Sequence, residues 1–289
     1  MAPMPNRAGS WASVRAVLLL LPPSEVKAPG GSGPALGRRP KLSTPALAAS
    51  RAELVSALRR ASSVDPAGLA VGLRLPEGLA PAALSANSAV ATAPTMAALD
   101  RYAGVLYAAL DVAALSAAAR RRAEDQVIVF SGLWGVVRGG DEVPDYRVPA
   151  SGTVPEFGGV SAHWRGPLAA VLPLLVGDLP VLDLRSSDYR SMWRPAAGLR
   201  EQVVSVRVLA ARGTGARRTV GPVSFHAKSV KGQVVRHLVT GRRTHRDPMA
   251  ALSAAAVSLG LRLVDTSSPT ARSVDLIGPF TPQAGGRRP

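Results

Sequence analysis

Four short apolar runs in this chain each stop at a cluster of small or polar residues. Leu18-Leu19-Leu20-Leu21 gives way to Pro22-Pro23-Ser24-Glu25-Val26-Lys27, and Val127-Ile128-Val129-Phe130 to Ser131-Gly132-Leu133-Trp134-Gly135. Val181-Leu182-Asp183-Leu184 runs into Arg185-Ser186-Ser187-Asp188-Tyr189, and residues 220–226 into Ala227-Lys228-Ser229-Val230-Lys231-Gly232. Apolar runs of this length, bounded by turn residues, read as buried strands. Strand ends of a mixed sheet gather at one rim, and sites form at that rim. The charge pooled there would come from Lys27, Arg138, Arg147, Lys228, Lys231 and Arg236, set against Glu25, Asp141 and Asp188. That is a net positive pocket with carboxylate partners, which suits phosphate.

Lysine is rare enough to be informative. The chain has four lysines against thirty-one arginines, and three of the four stand in these strand-end contexts. Lysine is a compact, rotatable point charge whose pKa shifts on burial, whereas arginine is a rigid planar fork. The bland alternative is a set of solvated surface charges. The net charge of +16 favours polyanions such as nucleic acid, phosphorylated ligands or an anionic surface, although arginine-rich, alanine-rich usage also follows from base composition.

Composition sets the outer limits. With 289 residues and 47% hydrophobic content, a sizeable core is possible. Aromatics are only 4%, so that core must be built mostly from Ala, Val and Leu. The absence of cysteine excludes disulfides, thiolate metal sites and cysteine nucleophiles. The apolar run at 16–21 is too short for a signal peptide and ends in Pro22-Pro23. No run approaches the ~18 apolar residues of a membrane span.

The expected organisation is an extension over 1–15, one α+β domain over 16–282 and a tail over 283–289. Both termini are expected to be disordered. Residues 28–40 form an exposed loop. Helices are expected over 44–61, 95–110, 115–125, 230–240 and 249–259, with short helices in 62–95. Thr44 and Pro45 start the first of these, and Gly260 caps the last. A helix over 164–175 would be limited by Pro167 and Pro173. Residues 201–211 alternate weakly, as an edge strand does, and 262–264 and 274–277 read as closing strands.

Several chemistries lack their pattern. His163, His226, His237 and His245 show no metal-ligand spacing, and no metal or other cofactor is expected. Ser131, Ser186 and Ser187 lack a G-x-S-x-G setting. Neither phosphate-loop fingerprint is present. Gly132 and Gly135 have the spacing of a hairpin whose amides can approach a phosphate, a weak signal alone. Lys228, Lys231 and Arg236 would share one helix face if a helix begins near Lys228.

In their order, these motifs resemble the peroxide stress protein YaaA family. The matching stretches are 18–27, Gly104-Val105-Leu106-Tyr107, Ser131 through Arg138 with Asp141, Tyr146-Arg147, Trp164, Leu184 through Tyr189, and Phe225 through Lys228 to Lys231-Gly232 and Arg236. Three departures sit in one loop: Gly139 replaces a proline, Asp145 is inserted before Tyr146, and Pro149-Ala150 replaces a Glu-Met pair. The resemblance implies a cytoplasmic single-domain protein with a barrel-like mixed sheet surrounded by helices. It also implies DNA binding through a basic cleft, helped by a helix-hairpin-helix-like element matched here to Gly132–Arg138. Its role would be to limit iron-driven oxidative DNA damage. Carried over, the DNA- or phosphate-binding residues are Lys27, Gly132, Gly135, Arg138, Arg147, Lys228, Lys231 and Arg236. The supporting polar residues are Glu25, Ser131, Tyr146, Ser187, Asp188 and Tyr189.

Two functions from different classes follow. One is a non-enzymatic DNA-binding protein of the oxidative stress response, contacting the backbone without sequence preference and with no protein partner inferred. The other is an enzyme acting on a phosphorylated or nucleotide substrate, motivated by lysines kept beside Glu25, Asp188, Tyr146 and Tyr189. Iron sequestration by the protein itself has no supporting cluster. The spatial expectation is that Lys27, Ser131, Arg138, Arg147, Ser187, Asp188, Lys228 and Lys231 line one concave surface. Asp188 should pair with a lysine, and Trp134 should pack inward with the amides near Gly135 facing the groove.

Overall fold

The computed structural model describes residues 17–37, 42–212, 219–241 and 247–279. The strands are β1 (Leu18–Leu21), β2 (Met96–Ala97), β3 (Val127–Ser131), β4 (Gly135–Arg138), β5 (Glu142–Val143), β6 (Thr153–Val154), β7 (Gly158–Gly159), β8 (Val181–Asp183), β9 (Val203–Arg212), β10 (Thr219–Gly221), β11 (Arg262–Asp265) and β12 (Arg272–Pro279). The helices are α1 (Ala48–Val64), α2 (Pro66–Gly72), α3 (Ala80–Ser88), α4 (Ala98–Arg101), α5 (Val105–Leu110), α6 (Ala117–Gln126), α7 (Val160–Val176), α8 (Ser187–Arg190), α9 (Ser224–Thr240) and α10 (Pro248–Ser258).

One mixed sheet organises the chain, in the order β11-β12-β9-β8-β1-β3-β4, with β10 paired to β9. Strand β1 is parallel to β3 on one side and to β8 on the other. Strand β8 is parallel to β9, and β9 to β12. All four residues of β1 are buried, as are all of β3 and β8, which explains why these strands are continuous apolar runs rather than alternating ones. The chain leaves β1 for β3 on one side and returns at β8 on the other. The order therefore reverses between β1 and β8, and the crevice outside their carboxyl ends is a topological switch point.

Several expectations need correction. Among the described residues the sheet is an open path from β11 to β4, not a closed barrel. Residues 132–138 belong to a β-hairpin, with Ser131 opposite Gly135, and no helix-hairpin-helix forms there. The strand expected at 220–226 stops at Gly221, and α9 starts at Ser224. Pro222 cannot donate to a ladder, and Val230, Lys231, Val234 and Val235 bury at helical spacing. The helix expected over 95–110 splits into β2, α4 and α5, because Tyr102 bridges to Lys27 and Ala103 donates its N–H to the Val26 carbonyl.

Strand β9 is interior rather than an edge, bonded to β8 and β12, and packed against α9. Helix α7 runs through both Pro167 and Pro173. Its stripe of Val160, Trp164, Leu168, Leu172 and Val176 is fully buried, and this burial outweighs two missing backbone donors. The expected extension and tail lie outside the described residues. No helix of the described residues is long and apolar enough to cross a membrane.

Candidate functional site at the strand ends

The carboxyl ends of β1 and β8 open into a cleft of about 490 Å³. Four segments wall it. The turn after β1 contributes Pro22 through Val26, and α5 contributes Val105, Leu106 and Tyr107 after Gly104. The turn after β8 contributes Ser186, Asp188 and Tyr189, and α9 contributes Ser224, Ala227, Lys228 and Lys231. Tyr107 holds two walls together by donating its hydroxyl to the Pro22 carbonyl at 2.8 Å. A larger hollow of about 610 Å³ lies along α1, but its described lining holds no carboxylate and no lysine. The mixed chemistry is concentrated at the switch point.

Buried Lys231 and half-buried Lys27 both serve carbonyl oxygens. Lys231 is 9% exposed, and its Nζ donates to the Leu184 carbonyl at 2.7 Å and to that of Arg185 at 3.2 Å. Burial, then the nearby Arg190 charge, pulls its pKa down to about 8, with Asp183 opposing. Lys27 donates to the Ser24 carbonyl at 3.2 Å and lies 4.2 Å from the centre of the Tyr146 ring. Burial lowers its pKa to about 8 as well, with Glu25 and Asp145 pulling it back up. Lys27 sits beside the cleft, under the turn whose residues line it, and not in its wall.

Lys228 differs from both. It is exposed in the cleft wall, and among the described residues it makes no hydrogen bond or ion pair. Exposed Glu25 reaches half-buried Arg147 at 3.6 Å, a partly solvated pair of modest energy. Arg147 is positioned by Asn87, whose side chain bonds both its N–H and its carbonyl. Ser187 and Asp188 are exposed at the start of α8, and none of Lys27, Lys228 and Lys231 comes within ion-pair reach of Asp188. A solvated carboxylate needs no partner, so the expected pair does not form.

Other candidates are packing residues. Ser131 Oγ accepts the N–H groups of Leu133 and Trp134 at 3.2 and 2.9 Å. Its remaining capacity is its proton, which goes to Tyr146 at 2.6 Å, and Tyr146 in turn meets Tyr102 at 2.6 Å. Burial raises the pKa of Tyr146 well above the usual value and pushes Tyr102 up to about 12. Tyr189 is likewise raised, by burial first and Glu25 next.

The hairpin amides expected to face a groove are thus closed by Ser131. Trp134 is fully buried, and Trp164 covers the hairpin, donating Nε1–H to the Gly132 carbonyl at 2.7 Å. Arg138 is opposite Ile128, at the far end of the β3–β4 ladder from Ser131, because an antiparallel partner runs back along the sheet. Arg236 donates to the Leu110 and Asp111 carbonyls, both at 2.8 Å, and so ties α9 to the end of α5. The structure therefore brings Glu25, Asp188, Tyr189, Lys228 and Lys231 into one cleft, with Lys27, Arg147 and Ser187 adjoining it. Ser131 is fully buried behind Tyr146, and neither it nor Arg138 nor the hairpin glycines line the cleft.

The sequence reading missed three buried arginines. Arg51 is fully buried and donates to the carbonyls of Trp134, Val136 and Thr44. Its position on the stripe of Leu47, Leu54 and Leu58 was the available signal. Arg101 donates to carbonyls of Val143, Ala28, Gly30 and Pro94. Arg185 forms a buried pair with Asp183 at 2.8 Å and stacks over Phe130, its carbon 4.1 Å from the ring centre. Burial alone would push the Asp183 carboxyl up, but Arg185 and Arg190 outweigh it and hold it below the usual range. Among the described residues no group of three potential metal ligands comes together.

The fold is a mixed sheet flanked by helices, and comparison with known proteins defines the family. The profile described as peroxide stress protein YaaA matches residues 17–258, so the chain belongs to that family. A UPF0246 protein of Streptomyces coelicolor is 42% identical over 223 residues, covering 77% of this chain and 83% of its own length. A UPF0246 protein of Corynebacterium efficiens is 37% identical over 233 residues, 78% of this chain and 86% of its own. Another, from Corynebacterium glutamicum strain R, is 35% identical over 243 residues, 83% and 93%.

Proposed function

We propose that this member of the peroxide stress family limits oxidative damage by binding the phosphodiester backbone of DNA, in the cytoplasm, with the switch-point cleft as its basic contact. The observation that carries this reading is Lys228, a cleft-lining cation with no partner among the described residues, in a chain of net charge +16. An unpaired ammonium gives up only water on meeting a phosphate, whereas Lys27, Lys231 and Arg236 already serve carbonyl oxygens. Titration of duplex, bubbled and single-stranded DNA across a salt series tests it. The logarithm of affinity should fall with the logarithm of salt by about 0.9 per phosphate contacted on duplex. Lys228→Ala should reduce that slope by about one. Affinity independent of salt sinks the reading.

A second reading has its own support. Glu25 and Asp188 line the same cleft, and carboxylates repel a continuous polyanion. A buried lysine with its pKa near 8 is also a group that can exchange a proton near neutral pH. These features favour an enzyme acting on a phosphorylated or nucleotide substrate. Turnover of such a substrate that is lost in Lys228→Arg would support it, and full activity in that variant would count against it.

A further inference from the structure

We propose that the switch-point cleft binds a single nucleoside monophosphate, taking the phosphate at the amino end of α9 and the nucleoside between the β1 and β8 turns. The inference deepens the second reading of the cleft and rests on it. Volume comes first. About 490 Å³ lies within the range of small-molecule sites and admits one nucleotide, whereas a duplex would meet only its exposed rim.

The phosphate end has three donors without partners. Lys228 is one. The Ser224 hydroxyl is a second, with no hydrogen bond among the described residues, and both line the cleft. The third is the set of first-turn N–H groups of α9, which no side chain caps because Val223 occupies the capping position. Exposed amides at the start of a long helix carry partial positive charge and accept phosphate oxygens. Of that first turn Ser224 stands in the cavity wall, on the same helix as the lining residues Lys228 and Lys231.

The nucleoside end differs in character. Pro22, Pro23, Val105 and Leu106 offer apolar surface to the face of a base. Glu25 and Asp188 are acceptors suited to sugar hydroxyls or an exocyclic amine, the role a carboxylate plays at switch points that bind nucleotides. The same two carboxylates make a mid-strand position unfavourable, because phosphates flanking the bound nucleotide would meet like charge. A monophosphate with no further phosphate beyond the nucleoside avoids that repulsion. Two sources share the phosphate chemistry: a free nucleotide, which carries no further phosphate, and the 5′-phosphorylated end of a strand, which keeps one on its 3′ side and is therefore the less favoured.

The test is calorimetric titration of the full chain with AMP, adenosine and inorganic phosphate. AMP should bind one per chain, and adenosine about tenfold or more weakly, because it lacks the charge-assisted bonds. Lys228→Ala should weaken AMP by about tenfold while leaving the melting temperature unchanged, since this side chain makes no hydrogen bond or ion pair among the described residues. Competition with a short single strand, with and without a 5′-phosphate, separates the sources. Displacement of AMP by the phosphorylated strand alone identifies the strand end, and displacement by neither identifies a free nucleotide. No AMP binding, or AMP binding indifferent to Lys228→Ala, overturns the proposal. Duplex binding is followed on the same samples. Salt-dependent duplex binding without AMP binding defeats this inference and leaves DNA binding standing, and AMP binding without duplex binding does the reverse.

Discussion

The Lys231 ammonium donates to the Leu184 carbonyl at 2.7 Å, tying the first half of α9 to the end of β8. This places a charge at 9% exposure at the floor of the cleft. Its pKa falls from 10.5 to about 8 in the folded chain. A depressed folded pKa means that the unfolded chain holds the proton more tightly. The contribution to stability is complete above about 10.5 and is lost as pH falls through about 8. Between pH 7 and 9.5 the parent should gain on the order of 2 kcal/mol relative to Lys231→Met. Paired denaturant melts at the two pH values measure this. An unchanged difference would mean that Lys231 titrates normally.

Lys27 and Lys228 should separate on replacement by arginine. Lys228 is exposed, so Lys228→Arg keeps its charge and its stability. Lys27 lies 4.2 Å from the Tyr146 ring centre and 5.8 Å from that of Tyr102, where a guanidinium adds bulk. Lys27→Arg should cost about 1–3 kcal/mol by overpacking. Thermal melts of the two variants compare them, and equal stability would show that the space beside the Tyr146 ring accepts a guanidinium.

Gly135 has φ +71, and a Cβ there would stand 2.7 Å from the Trp164 ring. Gly135→Ala combines backbone strain with an overpacked contact, and should destabilise by about 2–4 kcal/mol. Chemical denaturation gives the value. A loss below about 1 kcal/mol would show that Trp164 yields easily.

Asp183→Asn should leave the Arg185 guanidinium buried without its counter-charge. Breaking a buried pair from one side costs about 3–5 kcal/mol. The variant should also lose the acid sensitivity that the parent owes to this carboxyl. Its folded pKa lies below the unfolded value, so its contribution is present above the unfolded pKa and lost on acidification through the folded one. Acid titration followed by circular dichroism distinguishes the two chains.

Much of this was written locally. The runs at Leu18, Val127 and Val181 declared buried strands, because a strand covered on both faces can carry apolar side chains throughout. The polar residues after them placed Glu25, Asp188 and the lysines near one rim. The ordered motifs were enough to indicate the family. Local pattern misled where a residue's partner comes from far along the chain. Arg138 follows the hairpin in sequence, but antiparallel pairing carries it to the other end of the ladder. Gly132 and Gly135 look like a phosphate loop, yet Trp164 lies over them.

The sequence alone determined which segments must be buried, since hydrophobic periodicity is a property of neighbours along the chain. It also set the sign of the charge. Tertiary structure decided the path of the sheet, the start of α9 at Ser224 and the division of the described lysines into buried Lys231, half-buried Lys27 and exposed Lys228. These depend on which carbonyls are left unpaired when β1 and β8 end side by side. A lysine becomes a packing residue or a binding residue according to whether such an oxygen lies within its reach.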